Sequence, residues 1–196
     1  MEQKTVSVKT SAQIRAAVLC GLFAAFTAVF SQISLPIGPV PISCSLIAVY
    51  LAGLFLPVKT AALSQLVYLL LGIIGVPVFA GFQSGAARLA GPTGGYLLVY
   101  PVIALILSLA MVIYDKKLAR KPLAARAAYI VSAMLVSLIV CYAAGTAWFT
   151  VFSGSSFQKA LSLTVVPFIA GDIAKIVLCT VVTLSARERL KKAVKF

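Results

Sequence analysis

Residues 163–184 read LTVVPFIAGDIAKIVLCTVVTL. As a helix rising 1.5 Å per residue this run reaches about 33 Å, enough to cross a hydrocarbon core of about 30 Å. It carries two ionisable side chains, Asp172 and Lys175. A spacing of three puts both on one helix face. Outward from this run the chain repeats the same apolar character. Of its 196 residues 62% are apolar and 11% charged, and the mean hydropathy is +1.09. A soluble domain has about 45–50% and about 25%. One core cannot hide the excess, because a chain of this size leaves roughly 30% of its unfolded surface exposed. A soluble enzyme is therefore excluded. The net charge of +13 would ordinarily suggest nucleic acid. In so apolar a chain, basic residues flanking membrane spans explain it instead.

The apolar runs predict an all-α integral membrane protein, a single membrane domain over 1–196 with six spans. They lie at roughly 14–33, 43–56, 60–74, 96–114, 127–149 and 163–184. Pro36, Pro39 and Pro41 interrupt any helix after the first span. The second and third runs are short of the roughly 20 residues a crossing needs. Pro57 and Lys59 separate them, which predicts a hairpin of two short or extended helices. Lys4, Lys9 and Arg15 ahead of the run 16–33 resemble the start of a signal peptide. That run exceeds the roughly 7–15 apolar residues of a cleaved signal, so it reads as a retained first span.

Charge placement orients the bundle. With the amino terminus inside, the inner segments hold Lys4, Lys9, Arg15, Lys59, the basic loop 115–126 and the tail from Arg187 onward. The outer segments hold only Arg88 and Lys159. Positive charge collects on the cytoplasmic side. An even number of spans with both termini cytoplasmic is expected.

Three of the four acids need no special account: Glu2 and Glu188 lie in the tails and Asp115 beside Lys116. Asp172 is inside a span. With Lys175 it forms either an internal ion pair that locks packing or the polar lining of a cavity; the two are compatible. Intramembrane ionisable groups usually mark a ligand or ion site. The stretch 75–95 is too apolar for a solvated linker and too glycine-rich for a regular helix. Such backbone is tolerated at a membrane where it lines a cavity or is buried in protein. Its segment Gly91-Pro-Thr-Gly-Gly95 can bring backbone N–H groups near a ligand. Arg88 either clamps a carboxylate or meets lipid headgroups. In span one Ala17, Gly21, Ala24, Ala25 and Ala28 form small-residue stripes at helical spacing. These serve either internal packing or docking of another membrane protein.

Absences narrow the chemistry. The chain has no histidine, hence no His-based triad and no His-ligated metal site. It has no paired intramembrane acids and no phosphate-binding P-loop. Cys20, Cys44, Cys141 and Cys179 form no CxxC pair and read as buried apolar side chains. No catalytic residue and no metal site is expected. A small-molecule binder driven by partner proteins fits these absences.

Tyr68-Leu-Leu-Leu-Gly72, Gly75-Val-Pro-Val-Phe-Ala-Gly81 and Gly91-Pro-Thr-Gly-Gly-Tyr96 resemble the BioY family. So do Pro39-Val-Pro-Ile42, Pro167-Phe168 and Gly171-Asp172-x-x-Lys175. BioY proteins are biotin-binding S components of energy-coupling factor (ECF) transporters. The resemblance implies six helices in the cytoplasmic membrane, both ends inside, and biotin uptake with no cofactor. Partners would be the lipid bilayer, a membrane coupling (T) subunit docked on span one, Ala24 and Ala28 especially, and two ABC-type ATPases. On the matching positions Asp172 would accept from ureido N–H groups. Either Lys175 or Arg88 would meet the carboxylate. Gln83, Ser43, Tyr96, Gly94 and Gly95 complete the expected ligand contacts. The chain departs from the family pattern at Ser43-Cys-Ser45, often Thr-x-Gln, and at Ala170, often Pro. Other readings are an S component for a different small anionic vitamin, or a membrane assembly protein.

Overall fold

The computed structural model describes residues 2–35 and 40–194, with side chains described for 13–35, 40–187 and 189. The turn expected at Pro36–Pro39 and the side chains of Lys4 and Lys9 lie outside the described residues. The described chain is helical apart from one two-residue strand pair and the connecting turns. Helix α1 spans Glu2–Gln32. Strand β1 (Ser34–Leu35) pairs antiparallel with β2 (Ile42–Ser43). Helices α2 (Ser45–Phe55) and α3 (Val58–Ile73) follow. Then come the short α4 (Ala86–Ala90) and α5 (Gly94–Leu98), α6 (Tyr100–Lys117) and the long α7 (Leu123–Ser153). Helix α8 (Phe157–Thr164), a 3-10 turn at Val166–Phe168 and α9 (Ile169–Val194) end the chain.

Among the described residues, four helical runs are long and apolar enough to cross a membrane. They are Gln13–Gln32, Gly94–Lys117, Leu123–Ser153 and Phe157–Arg187. Two shorter apolar helices, Ser45–Phe55 and Val58–Ile73, match the expected short pair. At 1.5 Å per residue they reach about 16 and 24 Å. Pro57 ends α2 because it has no N–H to continue the ladder. The Leu56 carbonyl left at this break accepts a hydrogen bond from Ser108 Oγ at 2.9 Å.

Two of these runs contain a local interruption of the helix. In Gly94–Lys117 the helix is interrupted at Val99, between α5 and α6, where Pro101 removes a backbone hydrogen bond. The sixth span, expected as one helix from Leu163, breaks at Val166–Phe168. Pro167 acts there in the same way. The fifth helix runs longer at both ends than the expected 127–149, from Leu123 to Ser153.

Packing follows helical periodicity. On α9, Ile176, Cys179, Thr180 and Thr183 are buried, while Ile173, Val177 and Val181 are exposed. On α1, Ala24, Thr27 and Ser31 are buried, and Ile14, Val18, Leu22 and Val29 face outward. Outer apolar stripes of this kind suit lipid, whose tails are as apolar as leucine. Helices α2, α3 and α6 fill the middle with Tyr50, Leu54, Tyr68, Ile103 and Leu107, all fully buried. Polar contacts across this core are few. Thr27 Oγ1 donates to Gln65 Oε1 at 3.2 Å, tying α1 to α3.

Candidate ligand site

The break at Pro167 sets the site. It makes Ile169 the start of a new helix, so Asp172 falls in the first turn of α9. The positive end of the helix dipole stabilises a carboxylate there. Lys175 lies one turn on, and its Nζ reaches Asp172 Oδ1 at 2.7 Å. The pair is almost fully buried, at 2% and 8% exposure. Burial of charge is costly unless every charge is paired and hydrogen-bonded. That condition is met from two other elements. Tyr142 on α7 donates its hydroxyl to Asp172 Oδ2 at 2.6 Å. Lys175 Nζ donates to the Ser43 carbonyl on β2 at 2.8 Å.

Beside the pair lie two cavity lobes sharing Val40, Pro41, Ser43, Tyr96 and Tyr100. The Asp172 lobe, of about 60 Å³, is closed by Tyr142, Phe168 and the ion pair. The Arg88 lobe, of about 50 Å³, is lined by Ser31, Tyr68, Phe79, Arg88 and Thr93 among others. Each is several times the roughly 10–15 Å³ one water requires. The walls are aromatic with a few polar points, the usual make-up of a small-molecule pocket.

Two loops roof the Arg88 lobe, and α1 anchors one of them. Ser31 Oγ donates to the Val78 carbonyl, and Gln32 Nε2 donates to the Phe79 carbonyl at 3.3 Å. Gln32 Oε1 in turn accepts from Phe82 N at 2.8 Å. Phe82 holds a positive φ of 56°, an uncommon conformation for a bulky residue. Farther on, Trp148 Nε1 on α7 donates to the Gly91 carbonyl at 2.9 Å.

The BioY family model matches residues 2–192. The "Probable biotin transporter BioY" of Pyrococcus horikoshii is 42% identical over 157 residues, 80% of this chain and 86% of that one. The "Biotin transporter BioY2" of Lactococcus lactis subsp. cremoris is 35% identical, over 91% of this chain and 93% of that one. A solved S-component for biotin from an ECF-type ABC transporter superposes with a TM-score of 0.80. It is 24% identical, covering 91% and 93% of the two chains. The chain belongs to the BioY family. Its fold is that of an ECF S component, and it is a multi-pass membrane protein.

Within this BioY chain the structure gathers some of the expected residues and separates others. Asp172, Lys175, Ser43 and Tyr96 line the Asp172 lobe, and Arg88, Ser43 and Tyr96 line the other. Tyr96 joins the lobes while its hydroxyl donates to the Thr164 carbonyl at 3.2 Å. Gln83 does not join them. It is exposed and spends its backbone on a bridge with Phe79. Gly94 and Gly95 are also outside the lobe walls. A Cβ on Gly94 would lie 1.8 Å from the Leu89 carbonyl oxygen, and one on Gly95 2.3 Å from Trp148 Cβ. Their smallness lets α5 pack against α4 and α7.

The span-one stripe also divides. Ala24 is buried at 1% and Ala28 packs against the core, so the two residues singled out for docking face the chain's own bundle. Ala17, Gly21 and Ala25 are exposed. Tyr142 was not anticipated, because a tyrosine in an apolar run reads as packing. Its signal was a hydroxyl at mid-span, which needs a partner when buried. The four cysteines are free, Cys141 and Cys179 buried and Cys20 and Cys44 half-buried.

Proposed function

We propose that this chain is the biotin-binding S component of an ECF transporter and takes up biotin across the cytoplasmic membrane. The observation that carries the reading is the Asp172–Lys175 pair, buried in the wall of a cavity at the start of a helix. Asp172 suits the two ureido N–H donors, since an ionised carboxylate offers about four acceptor sites. Its protein partners engage one on each oxygen. Lys175 is committed to Asp172 and Ser43, which favours Arg88 for the carboxylate. Tyr96, Tyr100 and Phe168 supply apolar cover for the ring and chain.

The whole chain forms one membrane domain of six crossings with both termini cytoplasmic. The basic residues near Lys116 and beyond Arg187 support that orientation. Transport is driven by partners, a membrane coupling subunit and two ABC-type ATPases. The exposed small residues Ala17, Gly21 and Ala25 suit close helix contact with the coupling subunit. Gly21 has open space at its Cβ position.

Isothermal titration of the detergent-solubilised chain tests the reading. Saturable one-to-one binding of biotin without ATP is expected. Binding should survive a large excess of other anionic vitamins. Displacement of biotin by one of those vitamins would reassign the substrate. Absence of a heat signal at micromolar concentrations would overturn the reading.

A further inference from the structure

Among the described residues, two buried hydroxyls have no hydrogen-bond partner, those of Tyr50 and Tyr68. Native proteins leave few such groups, and each calls for a reason. Tyr50 lines neither lobe. Tyr68 is in the wall of the Arg88 lobe and is 0% exposed. Its ring is held on two sides, edge-on to Phe79 at 5.6 Å and stacked with Tyr100 at 6.3 Å. A phenylalanine would make the same ring contacts without a stranded hydroxyl.

Most other polar groups of the lobe are in use, the Thr93 hydroxyl excepted. Ser31 donates to the Val78 carbonyl, and Ser45 is hydrogen-bonded to the Tyr100 hydroxyl at 2.7 Å. The Arg88 guanidinium has no hydrogen-bond or ion-pair partner among the described residues. The lobe therefore presents two hydroxyls without a partner, those of Tyr68 and Thr93, and one uncommitted guanidinium, with no acidic side chain in its wall. Donors without acceptors, beside a positive charge, suit an anionic oxygen.

We infer that Tyr68 is a specificity-determining residue that donates its hydroxyl to the ligand's carboxylate, alongside Arg88. The inference rests on biotin being the ligand and assigns its acid end to this lobe. Tyr68 would then favour the free acid over neutral derivatives, because its hydrogen bond to a charged oxygen is the stronger one.

The test compares wild-type and Tyr68→Phe full-length protein in detergent, titrated with biotin and with biotinamide, whose acid is replaced by a neutral amide. Tyr68→Phe should weaken biotin binding about tenfold and biotinamide binding by clearly less, about threefold, since the amide carbonyl still accepts but carries no charge. The ligand-free variant should melt no lower than wild type, because the rings still pack and the stranded hydroxyl is gone. Equal losses for both ligands, or no loss for biotin, would overturn the Tyr68 assignment alone. A wild-type chain that binds neither ligand would overturn the biotin reading and this assignment with it. Arg88→Ala provides a second readout. Its loss for biotin should shrink in the Tyr68→Phe background if both side chains hold the same carboxylate.

Discussion

Among the described residues the molecule holds two acid–base pairs, and they are built for different ends. Asp115 and Arg187 join the end of α6 to α9 across 72 residues. The contact is two-pronged, Nη2 to Oδ2 at 2.8 Å and Nε to Oδ1 at 3.2 Å. It sits at the basic end of the bundle, where Arg126 donates to Tyr114 at 2.7 Å and lies over its ring. Asp172 and Lys175 lie on one helix, one turn apart, at the opposite end. A pair within one helix ties no helices together by itself. Its links to α7 and β2 pass through single hydrogen bonds from Tyr142 and to Ser43. The geometry of the first pair is a staple. That of the second is a desolvated polar surface facing a cavity, where ligand donors can join or replace the internal bonds.

The largest expected effect comes from neutralising the cavity pair. Asp172→Asn keeps shape but removes the counter-charge of Lys175 and puts an N–H where the ligand's N–H must point. Biotin affinity should fall at least about 100-fold, since charge-assisted hydrogen bonds contribute about 1.5–3 kcal/mol each and more than one is affected. Isothermal titration measures it. A loss smaller than tenfold would make this pair structural, like the other.

The sequence made the contrast half visible. Charges stand out in an apolar run because a membrane leaves them no cheap solvent, so Asp172 and Lys175 were legible from spacing alone. The helices were legible for a related reason: a crossing needs a minimum apolar length. Their breaks were less so. Pro167 lies inside an apolar run, and hydropathy is blind to the backbone hydrogen bond that proline removes. Yet that break is what gives Asp172 its helix start. The inward turn of Ala24 and the packing role of Gly94 and Gly95 depend on which neighbour approaches, and composition does not encode that. Asp115 looked ordinary beside Lys116, because its partner Arg187 is distant in sequence.

Breaking the staple should give the complementary result. Arg187→Met keeps much of the apolar stem and leaves Asp115 without its two-pronged partner. The protein should lose about 2 kcal/mol of stability, between the figures for exposed and buried pairs, because Arg187 is buried while Asp115 is partly accessible. Thermal unfolding in detergent would read this as a lower midpoint. Biotin affinity of the folded protein should stay within about twofold, as the pair lines neither lobe. A large loss of affinity at unchanged stability would mean that the two ends are coupled and would collapse the distinction.

The smallest effect separates the carboxylate from its support. Tyr142→Phe removes the hydroxyl that donates to Asp172 Oδ2 and leaves Lys175 on Oδ1. The charge remains paired, so the fold should tolerate the change. One donor fewer leaves the carboxylate freer to rotate, and the ligand must then fix its orientation. The cost is about that of one net hydrogen bond, about 1 kcal/mol or roughly fivefold in biotin affinity. If Tyr142 instead competes with the ligand for Oδ2, its removal raises affinity. The sign of the change in titration therefore decides whether Tyr142 positions Asp172 for biotin or occupies the place biotin takes.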